Sequence, residues 1–333
     1  MGRRWYPTLM YSFAHFAVDL GCAFAMFSAC ESTPVHFLLY NFCAFAMQMP
    51  MGLLADTWGR NRRFAVLGAL LVAVICCLPS FGYWGAVVLG LGNGLFHVGG
   101  GLDVMNLSGE NAAPLGVFVS PGAYGIYLGT FLGNGRCSLL PILAVLLLAC
   151  GGMLLVCKPD ILPNNAPLEL PERQVLPGAI LLFLVVALRS HGGMAAAFDW
   201  KTGLWSFAAV SAVVFGKTLG GFLSDRFGLL RAAAGSLTLC TVLYCFSGHP
   251  IPGVLALLLF NMTMPMTLFG LARAMPGAKG FSFGLLTFAL FLGFLPTYLG
   301  AGTIGGPGMA LVTVLSALLL LPGIWYITKR ACL

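Results

Sequence analysis

Apolar runs of membrane-spanning length follow one another through nearly the whole chain, near positions 8–28, 35–55, 64–80, 83–105, 114–134, 138–157, 177–198, 203–223, 229–247, 250–271, 280–300 and 306–327. No soluble fold of 333 residues could bury them all, because 59% of the residues are hydrophobic and only 8% are charged. A soluble domain is nearer a quarter charged. A helix of roughly 20 apolar residues crosses a bilayer and satisfies its own backbone groups there. The expectation is an all-α polytopic membrane protein with about twelve spans. The connections are too short to hold a soluble domain. The longest, KPDILPNNAPLELPERQVL (158–176), is polar and Pro-rich. It predicts a six-helix bundle over 1–157, a cytoplasmic linker over 158–176 and a second six-helix bundle over 177–333.

The net charge of +7 points to lipid topology, not nucleic acid. Arg3, Arg4, Arg60, Arg62, Arg63, Lys158, Arg173, Arg226, Arg231, Arg273, Lys279, Lys329 and Arg330 fall on one side of the twelve-span arrangement. Arg136 and Lys201 fall on the other. The positive-inside rule makes the first side cytoplasmic, with both termini inside a plasma membrane. The first run is too long for a signal-peptide core and carries Asp19, so no cleaved leader is expected. The 11 cysteines are scattered, without metal-type spacing. They read as reduced packing residues. No nucleophile–base spacing, metal-ligand motif or phosphate loop is present, so no enzyme activity or bound cofactor is expected.

GLLADTWGRNRR (52–63) and GFLSDRFGLLR (221–231) lie at corresponding places in the two halves. One offset of 169 positions superposes Gly52, Asp56, Gly59 and Arg62 on Gly221, Asp225, Gly228 and Arg231. The chain is therefore built from two related bundles. G-x-L-x-D-x-x-G-R-x-x-R after a second span, with a degenerate copy after the eighth, resembles the signature loop of the major facilitator superfamily. The resemblance covers essentially the whole chain in span count, central linker and both motif copies. It implies a secondary transporter, most often a monomer, in which this loop is a cytoplasmic latch. Asp56 would cap a neighbouring helix N-terminus and pair with Arg60, with Asp225 and Arg226 as the second copy. Gly52 would allow close helix packing and Gly59 a tight turn. Plain positive-inside topology accounts for Arg62 and Arg63, but not for Asp56 or the repeat. AHFAVD (14–19), Phe96-His97 and GAYGIYLG (122–129) are similar to the fosmidomycin-resistance branch of drug exporters. Ser120-Pro121-Gly122 with Gly125 is similar to the span 5 antiporter motif. Two departures stand out: the chain is short for the superfamily, and span 4, GLGNGLFHVGGGLD, lacks the arginine of many proton-coupled members.

Ionisable groups within spans are costly and mark function. Span 1 holds His15 and Asp19, span 4 His97 and Asp103, span 7 Arg189 and His191, and span 8 Lys217. The resemblance implies that spans 1, 4, 7 and 10 line a cavity. His15 and Asp19, four apart, share one helix face. Asp19 there could take a proton from one side and release it to the other, tuned by His15; a structural Asp19–Arg189 pair is the competing reading. Arg189 offers a planar fork to an anionic substrate, with His97, His191 and Lys217 as further polar groups. His36 and His249 fall at outer span ends, where solvation is expected. Phe118, Tyr124, Tyr127, Trp200 and Trp205 read as wall or interface belt.

Span 10, FNMTMPMTLFG, adds Asn261, Met262 and Met266 around a kinking Pro265. The expected function is proton-driven export of a small anionic or drug-like organic compound by alternating access. Two alternatives stay open: an importer of an organic anion, and a soft-metal transporter using His15, Asp19, His97, Met262 and Met266.

Overall fold

The computed structural model describes residues 2–31, 33–157 and 175–330. In the first half they form α1 (Gly2–Ser28), α2 (Pro34–Asn41), a π-helical turn (Phe42–Ala46), α3 (Gln48–Trp58), α4 (Asn61–Cys76), α5 (Tyr83–Ser108), α6 (Ala113–Val119), α7 (Gly122–Asn134) and α8 (Leu140–Val156). In the second half they form α9 (Leu176–Ala195), α10 (Gly203–Phe227), α11 (Leu229–Cys245), α12 (Pro250–Asn261), α13 (Thr263–Ala274), a 3-10 turn (Pro276–Ala278), α14 (Lys279–Tyr298) and α15 (Gly306–Arg330). No strand forms among the described residues beyond the isolated bridges Cys30–Phe81 and Ala196–Ile304.

These elements fall on the twelve apolar runs. Among the described residues, 9 helical segments are long and apolar enough to cross a bilayer. Leu140–Val156 and Leu229–Cys245 are shorter apolar helices, and α4 has 16 residues with Arg62 and Arg63 in its first turn. Three runs are broken, and proline explains each break. A proline has no N–H for the carbonyl four residues back and its ring collides with that carbonyl. Pro50, Pro121 and Pro265 therefore disturb the helix at Ala46, Val117 and Asn261. The breaks lie at Met47, Ser120 and Met262.

By contacts the chain divides into two units. One comprises Met1–Gly109, Val117–Leu168 and Gly277–Phe288. The other comprises Glu110–Gly116, Glu169–Pro276 and Ala289–Leu333. Each unit thus takes in a short segment from the opposite half of the sequence. The linker at 158–176, with Lys158 and Arg173, lies outside the described residues except for Val175 and Leu176.

In the first unit, α7 packs on α1 through Gly125 and Gly129. A Cβ on either would run into the carbonyl of Phe16 or Leu20. Small residues let backbones approach where lipid supplies no hydrophobic drive. α4 meets α5 in the same way, through Gly68 and Gly99. In the second unit, Gly216 and Gly220 of α10 lie against the carbonyls of Leu258 and Met262. The ten described cysteines are all free.

Candidate functional site

α1 and α5 bring the N-terminal ionisable residues together. His15 Nε2 lies 3.2 Å from Asp19 Oδ2, the contact that four-residue spacing on one helix allows. His97 of α5 completes the group, its Nε2 2.9 Å from His15 Nε2 and 3.9 Å from Asp19 Oδ1. Asn93, one turn from His97, donates to Asp19 Oδ1 at 3.0 Å. All four side chains are buried. Asp19 finds its partners within its own unit, in a His15–Asn93–His97 surround.

A second rung follows along the same pair of helices. Tyr11 donates to Asp103 Oδ2 at 2.5 Å, and Asn61 donates to Oδ1 at 2.8 Å. Tyr11, His15 and Asp19 thus line one face of α1, meeting Asp103, His97 and Asn93 of α5 in reverse order. α1 and α5 run antiparallel, with three polar rungs between them.

The break between α6 and α7 supplies the remaining partner. A helix end leaves its last carbonyls without intrahelical donors. The carbonyl of Phe118 sits at such an end and accepts His15 Nδ1–H at 2.7 Å. Phe118 is therefore part of the cluster through its backbone, where the sequence placed it in a wall. Gly122 begins α7 directly against the cluster, and a Cβ there would overlap His15 Nε2 and Asp19 Oδ2.

The two copies of the repeated loop make the same contact. Asp56 accepts the amides of Gly280 and Phe281, both at 2.8 Å, at the start of α14. Asp225 accepts the amides of Ala112 at 2.6 Å and Ala113 at 3.1 Å, at the start of α6. Gly52 lets α3 approach, since a Cβ there would enter the Gly280 carbonyl. Gly59 ends α3 in the left-handed conformation at φ 62°. The expected pairing of Asp56 with Arg60 is not formed. Arg60 follows the Gly59 turn, which carries it out to solvent as the N-cap of α4. The cation facing Asp56 is Lys279, whose Nζ also donates to Asn106 at 3.1 Å. Arg226 is likewise exposed, with its guanidinium 5.5 Å from the Phe227 ring centroid. Arg62 caps a helix C-terminus, donating to the carbonyls of Leu154 and Cys157 at 3.1 and 3.0 Å.

In the second unit Arg189 is buried and donates to the Phe260 carbonyl at 2.6 Å. Its guanidinium lies 4.7 Å from the centroid of the same phenyl ring, a cation–π arrangement. Its Nε is buried without a hydrogen-bond partner, as is the hydroxyl of Tyr244, whose ring also contacts Phe260. His191 is half-buried with its Nδ1 unpartnered. Lys217 is half-buried on α10. Asn261 Nδ2 is spent on the Leu257 carbonyl at 2.8 Å. Met262 and Met266 are buried around the α12–α13 break. Of the soft-metal set, His15, Asp19 and His97 converge; Met262 and Met266 belong to the other unit. His36 is buried, against expectation, and stacks on Tyr83 with ring centroids 4.4 Å apart. His249 is exposed.

No protein-family model and no curated protein sequence matches the chain. Solved structures do match its fold. A major facilitator superfamily transporter, FucP, in the outward conformation aligns with a TM-score of 0.68 at 15% identity, over 97% of this chain and 98% of that one. The fucose:proton symporter FucP of E. coli, in a variant form, aligns at 0.63 with 14% identity over 97% and 98%. The human organic anion transporter MFSD10 (TETRAN) aligns at 0.65 with 12% identity over 96% and 99%. The chain is an all-α polytopic membrane protein with the major facilitator superfamily fold.

Proposed function

We propose that the protein is a secondary active transporter working by alternating access, which exports a small anionic or drug-like organic compound in exchange for protons. The observation that carries the reading is the buried His15–Asp19–His97 cluster. Three ionisable side chains inside membrane helices are costly to bury and mark a functional site. The fold supports transport in general terms, because its solved representatives are transporters. No enzyme activity and no resident cofactor enter the reading; the proton gradient supplies the energy. The substrate is a small molecule, the surroundings are lipid, and nucleic acid has no part. We place the chain in the plasma membrane with both termini cytoplasmic, on the charge bias of its loops, and take it as a monomer on the family resemblance alone.

In this reading Asp19 and His15, with His97, form the proton-coupling site, and Arg189 anchors the substrate anion. His191, Lys217, Asn261, Met262 and Met266 shape the substrate path. Gly52, Asp56, Gly59 and Asp225 form the cytoplasmic latch, with Arg60 and Arg226 left to interact with solvent or headgroups. An organic-anion importer would use the same parts in the opposite direction. A soft-metal transporter is favoured by the convergence of His15, Asp19 and His97 alone.

The test is Asp19→Asn in reconstituted vesicles. Proton-driven transport should be lost while substrate exchange without a gradient survives. Proton-driven transport at the wild-type rate would overturn the coupling role.

A further inference from the structure

Backbone carbonyls hold His15 and His97 in the manner of metal ligands. His15 Nδ1 donates to the Phe118 carbonyl at 2.7 Å, and His97 Nδ1 donates to the Asn93 carbonyl at 2.9 Å. A carbonyl only accepts, so each neutral ring carries its one hydrogen on Nδ1 and a bare lone pair on Nε2. A histidine that binds a metal through one nitrogen almost always donates its other N–H to a carbonyl or carboxylate, which fixes ring and tautomer. Here both rings are fixed in that way and both lone pairs converge. The two Nε2 atoms stand 2.9 Å apart. His15 Nε2 lies 3.2 Å from Asp19 Oδ2, and His97 Nε2 lies 3.9 Å from Asp19 Oδ1. Asp19 is oriented in turn by Asn93, which donates to its Oδ1 at 3.0 Å.

We infer that His15 Nε2, His97 Nε2 and one Asp19 oxygen form a binding site for a divalent ion of the zinc class, with a fourth position open to water or a small anion. Among the described residues this is the one group of three or more His, Cys, Asp or Glu that converges in this way, its donor atoms all within 4.8 Å of one another. Two imidazoles and a carboxylate are a donor set that holds zinc and leaves a position open. Donors about 2.0–2.1 Å from a tetrahedral ion stand about 3.3 Å apart. The distances of 2.9, 3.2 and 3.9 Å bracket that value, so small side-chain rotations suffice to seat the ion. The three side chains keep 9–11% of their surface exposed, so the site is not sealed.

Donor chemistry sets the class of ion. Imidazole and carboxylate suit a borderline ion such as Zn2+, whereas Cu(I) selects thiolate and thioether. Magnesium and calcium take oxygen ligands. Met262 and Met266 lie in the other unit. Cys22 Sγ accepts from Asn93 Nδ2 at 3.4 Å and is not among the converging donors. The site is therefore narrower than the five-residue soft-metal set and different in its metal. Two neutral imidazoles and one carboxylate leave a divalent ion with one net positive charge, which favours an anion as fourth ligand. A bound ion ties α1 to α5 where Gly122 of α7 rests against His15 and Asp19. The ion site stands on this geometry alone. Its consequence, that zinc blocks transport by occupying His15 and Asp19, rests on the proton-coupled reading.

The experiment is metal titration of the purified full-length chain after chelator treatment, with zinc followed by calorimetry and cobalt(II) by visible absorption. One ion should bind per chain. Cobalt should give a tetrahedral spectrum without the thiolate charge-transfer band of cysteine ligation. His15→Gln, His97→Gln and Asp19→Asn should each weaken zinc binding at least a hundredfold. Asn93→Leu removes only the donor that orients Asp19 and should weaken it by about 10- to 100-fold. His36→Gln and His249→Gln should bind zinc as the wild type does. If His15→Gln fails to fold, His97→Gln and Asp19→Asn each carry the test. Unchanged zinc affinity in the folded cluster variants, an octahedral cobalt spectrum, a thiolate band at one equivalent, or zinc binding lost in Met266→Leu would each overturn the site. Vesicle transport separates the two levels. Zinc bound at the cluster of a chain whose transport is not proton-driven sinks the coupling reading alone, while proton-driven transport in a chain that binds no zinc there sinks the ion site alone.

Discussion

Asp56 holds the first turn of α14 through Gly280, its Oδ1 2.8 Å from the Gly280 amide nitrogen. The second carboxylate oxygen takes the next amide, Phe281. Asp225 does the same for α6 through Ala112 and Ala113. A carboxylate at a helix N-terminus satisfies orphan amides and opposes the helix dipole. Each contact depends on a glycine one turn earlier, Gly52 or Gly221, where a Cβ would strike the backbone being capped.

Removing these caps should shift a conformational equilibrium. Losing an N-cap costs about 1 kcal/mol, roughly fivefold in a two-state population. Asp56 is half-buried and Asp225 exposed, so solvent replaces the lost contact more readily at Asp225. Asp56→Ala should therefore move the balance further than Asp225→Ala. The check is the reaction rate of single engineered cysteines with a membrane-impermeant reagent from either side. Identical rates in wild type and Asp56→Ala would remove the latch role.

Arg189 should discriminate by charge. Its guanidinium is cradled by the Phe260 ring and carbonyl, which fixes the direction of its remaining donors. Arg189→Lys keeps the charge and loses the planar fork. Binding of organic anions should fall at least tenfold in Arg189→Lys and further in Arg189→Ala, while a neutral analogue of equal size changes little. Equilibrium binding to purified protein measures both. Equal losses for anion and neutral analogue would make Arg189 structural.

Glycines with and without neighbours give a paired test of packing. A Cβ at Gly122 overlaps His15 and Asp19, whereas at Gly151 of α8 it meets nothing within 4 Å. Gly122→Ala should displace the cluster and abolish proton-driven transport in folded protein. Gly151→Ala should leave transport intact and raise thermal stability slightly, because alanine favours helix over glycine by roughly 0.5–1 kcal/mol. Full transport activity in Gly122→Ala would show that the contact of α7 with the cluster is dispensable.

The parts legible in the sequence are those written in local pattern. Hydropathy sets the twelve apolar runs, Pro265 announces the break in one of them, and the 169-residue repeat pairs Asp56 with Asp225. His15 and Asp19 announce their contact by spacing. What stayed hidden depends on backbone atoms and on other helices. The Phe118 carbonyl becomes a partner only because α6 ends there. The Phe260 carbonyl, which holds Arg189, has no side-chain signature at all. Asn93 stands four residues before His97, the same spacing as His15 and Asp19, and that periodicity could have flagged it. Arg60 misled because charge complementarity ignores the left-handed turn at Gly59, which points the next residue away.

The rung formed by Tyr11, Asn61 and Asp103 provides a control that separates stability from coupling. Asp103 accepts from Tyr11 at 2.5 Å and from Asn61 at 2.8 Å. Tyr11 is fully buried. Tyr11→Phe keeps the ring and removes one donor to a carboxylate. Hydrogen bonds between membrane helices average about 0.6 kcal/mol and reach about 1.7, and a charged acceptor places this one toward the upper end. Tyr11→Phe should therefore lower the thermal midpoint measurably, and Tyr11→Phe with Asn61→Leu should lower it further, since the carboxylate then loses two donors. The His15–His97–Asp19 group lies farther along α1 and α5, so the ratio of protons moved to substrate moved should stay at its wild-type value in Tyr11→Phe. Thermal unfolding followed by tryptophan fluorescence, with a proton-flux assay on the same preparation, reads both quantities. A changed ratio with an unchanged midpoint would place Asp103 inside the coupling machinery and make the three rungs one functional unit.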